Sequence, residues 1–323
     1  MKKIFIIIFA IICAFYVTEE VISLFLNFPK FGVEKKVLGI TSLVNRGEIY
    51  KPYSSYVNNE DGYKIFRRNN EGLPGTDIIN SDTSRYLLVL GNSFVEGYQV
   101  RPDSLATSKF QRLCDSYSPK YQVVNLGVSG HDAMDLWLRV NYFEKIFPPS
   151  GVFLVITEFN LFNHQGTLDF ALPSDFGRNI ESPGMKIKLW IRNTSSYINL
   201  LATAYKYYKG INESPELETG DISPDWMKQV SADTSLNASL GLGRCLLEYR
   251  NQYGNKFIAV SILQDANQNN AISGFCGANH IHFKASPILV PQYEIKGSGH
   301  LTTEGNTKLG ELLYESRKEY LDK

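Results

Sequence analysis

The sequence predicts an α/β fold built on a parallel sheet with helices packed on both faces. Four short apolar runs read as buried strands: Tyr86–Leu90, Gln122–Leu126, Val152–Thr157 and Phe257–Ile262. Continuous apolar runs of this length suit strands covered on both sides. The connections between them carry helical patterns, among them Leu105–Tyr117 and Ala133–Phe147, and a last helix is expected at roughly Thr307–Tyr320. Strand alternating with helix implies crossover connections and therefore parallel strands. Ligands in such a sheet bind at the carboxyl ends of the strands, which is where the polar and glycine-bearing segments of this chain fall.

The chain opens on Lys2-Lys3, an apolar run from Ile4 to Val17, the polar Thr18-Glu19-Glu20, and a second apolar piece, Val21 to Leu26. The first run is short for a span and fits a signal-peptide core. No small-x-small cleavage site follows, and Ile12 beside Cys13 fits a lipoprotein box poorly. An uncleaved anchor over 1–26 is the favoured reading, with a cleaved signal peptide as the alternative. Both place the remaining domain outside the cytoplasm, membrane-held or secreted. Residues 27–83 read as a polar, loop-rich lead-in or stalk with a turn cluster at Asn58–Gly62, and 84–323 as the α/β domain. A helical insertion, 165–255, interrupts that domain. It holds an amphipathic Met185–Lys209, an acidic loop Gly210–Pro224 and a helical Trp226–Tyr253.

Composition narrows the partners. Lys+Arg and Asp+Glu both number 33, so there is no basic footprint for nucleic acid. Four cysteines without a C-x-x-C pair argue against a zinc site, although an exported domain permits one bridge. No cofactor or metal is assigned.

The chemistry gathers at strand ends. In Tyr86-Leu-Leu-Val-Leu-Gly-Asn-Ser-Phe-Val-Glu-Gly97, Gly91 breaks the strand and Ser93 stands where a helix begins. The unpaired N–H groups of a helix's first turn can meet a developing negative charge. On this segment alone Ser93 is a helix cap or a nucleophile. Asn125-Leu-Gly-Val-Ser-Gly130 follows the second strand, Glu158-Phe-Asn160 the third, and Gly299-His300-Leu-Thr-Thr-Glu-Gly305 precedes the last helix. These types suit acyl transfer. Ser93 attacks an ester carbonyl, and His300 takes its proton and returns it to the leaving alcohol. The N–H groups of Ser93 and Gly130 and the Asn160 amide form an oxyanion hole.

That ordered set, Gly-Asn-Ser-x-x-x-Gly, Asn-x-Gly-x-x-Gly, a strand ending at Asn, then His-Leu-Thr-x-x-Gly, resembles the SGNH/GDSL hydrolase family over about 84–163 and 256–320. The lead-in with Asn58 and Gly62 is similar to that of membrane-anchored bacterial members. The resemblance implies a three-layer αβα flavodoxin-like fold and ester chemistry. It also implies that Ser93, Gly130, Asn160 and His300 fill the family's four roles. Three departures stand out. The family's block-I Asp is Asn92. The Gly-x-Asn-Asp block reads Glu158-Phe-Asn-Leu161, which leaves Asn163 as an alternative to Asn160. The acid three residues before the histidine is Gly297. A Ser–His dyad, substitution by Glu294, or a degenerate site all remain open. The expected substrates are acyl esters, small or carried on envelope or secreted glycans, with glycan-modification proteins as partners. The alternative is a non-catalytic binding module on the same fold.

Other candidates read as structural. Asp132 is expected to cap a helix, with His131 exposed. His280 and His282 have strand spacing and would share a face. His164 lines the cleft or is loop. Trp190, Tyr197, Tyr205, Tyr207 and Tyr208 are expected to pack rather than form a sugar wall. Ser195-Ser196 reads as solvated helix surface, and the acidic stretch 212–225 as a solvated loop.

Overall fold

The computed structural model describes residues 2–22, 33–36, 48–58, 64–79, 85–117, 121–157, 190–191, 195–213, 241–296 and 299–322. Its centre is a parallel sheet of β5 (Arg85–Leu90), β6 (Tyr121–Asn125), β7 (Pro149–Ile156), β8 (Phe257–Ser261) and β9 (His282–Ala285), in the order β6-β5-β7-β8-β9. Counted within the sheet this is 2-1-3-4-5, the flavodoxin-like order. The four predicted strands are therefore present, and β9 is an addition.

Period-two alternation divides the sheet's side chains between two cores. Leu88, Leu90, Val152, Leu154, Ile156 and Ala259 face one side. There they meet α4 (Ala133–Phe143), α6 (Gly241–Tyr253) and α7 (Ala266–Ala278) through Leu136, Val140, Leu246, Tyr249 and Ile272. Leu87, Val89, Phe153, Val155, Ile258 and Val260 face the other. There they meet α3 (Ala106–Tyr117) and α8 (Thr303–Tyr320) through Phe110, Leu309, Leu312 and Leu313. The result is three layers, αβα. The last helix begins earlier than expected because Thr302 caps it, its hydroxyl accepting from Gly305 N at 3.1 Å.

The N-terminal helix α1 (Lys2–Val21) is exposed from Lys3 to Thr18 and is long and apolar enough to cross a membrane. Two small hairpins follow it, β1 (Val33–Lys36) with β2 (Glu48–Tyr50) and β3 (Ser55–Asn58) with β4 (Lys64–Arg67). The described part of the lead-in thus carries short strands. Phe66 is buried against Tyr98, Val100 and Leu105 of the main domain. Of the inserted stretch, α5 (Ser196–Glu213) and α6 are described. Gly62, the acidic loop beyond Glu213, and the segment around His164 lie outside the described residues.

Several expectations are corrected. His131 is buried rather than exposed, while Asp132 does cap α4, accepting from Asp135 N at 2.8 Å. His280 turns with φ 52 before β9, and His282 stacks on Tyr320 at 4.5 Å, so the two share no strand face. Ser195 and Ser196 are buried. Trp190, Tyr205 and Tyr208 are largely exposed rather than core residues, and the Tyr207 side chain lies outside the described set. None of the four cysteines is bridged; Cys114, Cys245 and Cys276 are buried as thiols.

Candidate active site

Ser93 is the first residue of α2 (Ser93–Glu96), one turn of helix leaving the carboxyl end of β5. It is not the cap. Asn92 is, its Oδ1 accepting from Phe94 N at 3.2 Å. Asn92 is buried, and its Nδ2 donates to Thr157 Oγ1 at 2.8 Å. One side chain therefore closes the helix start and ties the end of β5 to the end of β7. An aspartate would keep the cap, so the family departure at this position is structurally mild. Gly97 ends the turn with φ 70, donating its N–H to Ser93 O at 2.9 Å. Ser93 is half-buried, and among the described residues its Oγ makes no hydrogen bond.

The loop after β6 is held against this turn. Val128 N donates to Gly91 O at 2.9 Å. Asn125 Nδ2 donates to Val95 O at 2.7 Å and to Thr107 Oγ1, while its Oδ1 accepts from Gly127 N. Gly127 lies so close that a Cβ there would stand 2.4 Å from Glu96 N. The Asn-x-Gly of the second motif is thus a clamp that admits the backbone of α2. Gly130 follows with φ 71, a left-handed conformation that favours glycine. Like that of Ser93, its N–H is not engaged by the described protein.

His300 is brought to the same edge by the start of α8. Leu301 is buried with Val95 and Val89. Asn306 accepts from Ala106 N at 3.1 Å and donates to Leu301 O and Thr302 O. The backbone at His300 pairs with Ile295 N at 2.6 Å. Its ring lies 6.0 Å from that of Phe94, the residue after Ser93, and its Nδ1 is buried. His-Leu-Thr-x-x-Gly thus reads as a presented ring, a core anchor, a helix cap and a glycine packed on Tyr293 O.

No hydrogen bond joins Ser93 Oγ to His300, and catalytic hydrogen bonds are often unformed before substrate arrives. Glu294 is beside His300 in the short bridge to Leu301, yet its carboxylate makes no hydrogen bond or ion pair with that ring. Burial pushes the Glu294 carboxyl above its ordinary value. Asn160, Asn163 and Gly297 lie outside the described residues.

The sequence reading missed the brace beneath this loop. Glu96 is buried, and its Oε2 accepts from Ser129 N at 2.7 Å and, more closely, from Ser129 Oγ. Burial raises its carboxyl above the ordinary range, against the pull of those bonds and of Arg68 and Arg139. Arg68 comes from the lead-in, is buried, and lies 3.4 Å over the Tyr50 ring. Arg139 of α4 donates to Leu126 O at 3.1 Å. The residue that holds Ser129 thus holds the neighbour of Gly130. A buried acid one residue before a glycine leaves no sequence signal beyond its place in the turn.

No family model and no curated protein matches the chain. Solved structures are similar in backbone path. A crystal structure of TesA covers 73% of this chain and 99% of its own at 10% identity, with a TM-score of 0.43. The psychrotrophic esterase EstA from Pseudoalteromonas sp. covers 74% and 100% at 9% identity, with a TM-score of 0.43. A catalytic mutant of the acetylxylan esterase Axe2 from Geobacillus stearothermophilus covers 75% and 96% at 13% identity, with a TM-score of 0.40. The 2-1-3-4-5 sheet is the flavodoxin-like order, and Ser93 and Gly130 follow its strand ends with His300 before the last helix, the arrangement that the sequence resemblance to SGNH/GDSL hydrolases implies.

Proposed function

We propose that this chain is a serine-dependent acyl-ester hydrolase or O-acyltransferase, with Ser93 as nucleophile and His300 as base. The carrying observation is that the Ser93 hydroxyl and the N–H groups of Ser93 and Gly130 are all unengaged by the described protein at one sheet edge. A nucleophilic hydroxyl needs backbone N–H donors near it to meet the oxyanion that forms when it attacks an ester carbonyl, and Ser93 and Gly130 would supply two. Asn160 would add the third donor. In this reading α1 anchors the chain in a membrane with the domain outside the cytoplasm, and the esters are small or carried on envelope glycans.

A fluorophosphonate probe tests the nucleophile. The expected result is covalent labelling and acetyl-ester turnover by the full chain, both lost in Ser93→Ala and turnover lost in His300→Ala. No labelling of Ser93 together with no turnover would favour the binding-module reading. The missing Ser93–His300 hydrogen bond is the observation on that side.

A further inference from the structure

α1 and α5 meet away from the active site. Glu19, in the last turn of α1, accepts from Ser195 Oγ at 2.8 Å, from Ser196 N and from Tyr197 N at 3.0 Å. Ser195 Oγ in turn accepts from Ile198 N at 3.1 Å. The first N–H groups of α5, unpaired within the helix, are thus answered by a carboxylate from α1 and by Ser195. Phe15 meets Tyr197 edge to face at 6.1 Å.

Beyond that junction α5 exposes an apolar stripe. Leu201 is 49%, Tyr205 65% and Tyr208 67% exposed, and Ala204 is exposed between them. Positions 201, 204, 205 and 208 have the three-and-four spacing of one helix face. Trp190, just before the helix, is 67% exposed. Tyr and Trp with one wet end and one apolar body suit a membrane boundary.

Length sets the level. Ile4–Val17 at about 1.5 Å per residue spans roughly 21 Å, against a hydrocarbon layer of about 30 Å. Glu19 then lies at or within the outer edge of that layer, where a bare carboxylate is costly. The hydrogen bonds from α5 meet that cost and hold the first turn of α5 at the same depth. We propose that the Leu201–Ala204–Tyr205–Tyr208 face of α5 contacts lipid, forming a second membrane contact beside α1. This rests on the reading of α1 as an anchor.

The test uses the full chain in a Cys13→Ala background, with an environment-sensitive fluorophore on Ala204→Cys or, as control, on Glu315→Cys of α8. Both positions are exposed. The protein is reconstituted in phosphatidylethanolamine–phosphatidylglycerol vesicles with plain or brominated acyl chains. The expected result is a blue-shifted probe at 204, quenched several-fold more by brominated lipid than the probe at 315. Equal, weak quenching at both positions in protein that still floats with vesicles overturns the α5 contact and leaves the anchor standing. A signal at 204 that follows protein-to-lipid ratio and ignores bromine overturns it in favour of a second copy. Protein that does not float overturns the anchor, and the contact with it, without touching the Ser93 labelling.

Discussion

Replacing Glu96 with alanine removes the brace beneath Gly130. Both Ser129 donors, the N–H at 2.7 Å and the hydroxyl, converge on one oxygen, Oε2, and Arg68 and Arg139 answer the charge. A hydrogen bond to a charged group contributes about 1.5–3 kcal/mol. Removing one member of a buried charge cluster costs about 3–5 kcal/mol, because the opposite charges stay buried without it. These figures describe one loss from two sides and do not add. Against a typical stability of about 5–15 kcal/mol, the variant loses a large part of its margin yet can remain folded. Glu96→Gln keeps an acceptor where Oε2 stands and is expected to hold Ser129. The site readout is separate from stability. Misaiming one oxyanion donor lowers kcat by roughly 10²–10³ and changes KM less. Steady-state acetyl-ester kinetics on folded Glu96→Ala should show that pattern, with Glu96→Gln close to the parent. Hydrogen exchange at the Ser129 and Gly130 amides gives the same reading without activity. An alanine variant with parental kcat and unchanged exchange at Ser129 would refute the brace.

The raised Glu96 carboxyl also fixes a pH trend. An acid whose folded pKa exceeds its unfolded value, about 4.3, contributes most stability below that value and loses it as pH rises toward the folded one. Glu96→Gln, which cannot ionise, should therefore gain on the parent between acidic and neutral pH in paired urea melts; the reverse trend would mean that Arg68 and Arg139 outweigh burial. Asn92→Asp keeps the Phe94 cap and lets the Thr157 hydroxyl turn to donate, so its cost should stay under about 1 kcal/mol. Asn92→Ala loses both contacts and should cost about 2 kcal/mol, ranked by the same melts. Gly127→Ala sets a Cβ against the α2 backbone and should cost about 1–3 kcal/mol while slowing fluorophosphonate labelling of Ser93.

The strands that the sequence made legible were those buried on both faces. Tyr86–Leu90 and Val152–Ile156 are continuous apolar runs because each side chain meets a helix layer. β9, with His282 and Lys284 on a half-exposed edge, carries no such run, and Asn- and Gly-rich α7 carries little apolar periodicity. α1 was legible from composition, whereas the exposed stripe of α5 was not. Tyr205 and Tyr208 at helical spacing look alike whether they face a core or the surface, and only their exposure separates the two.

The sequence by itself determined four of the five strands of the sheet, their parallel sense and the motifs after them, because local periodicity and turn chemistry suffice for these. It also marked Ser93, since a glycine-broken strand entering a helix is a local pattern. Only the tertiary structure decided that Asn92 rather than Ser93 caps α2, that Glu294 leaves the His300 ring alone, and that Glu96, Arg68 and Arg139 share one buried cluster beneath Ser129. Those contacts join residues up to 71 positions apart, from Arg68 to Arg139, and burial of a charge depends on what the fold brings against it.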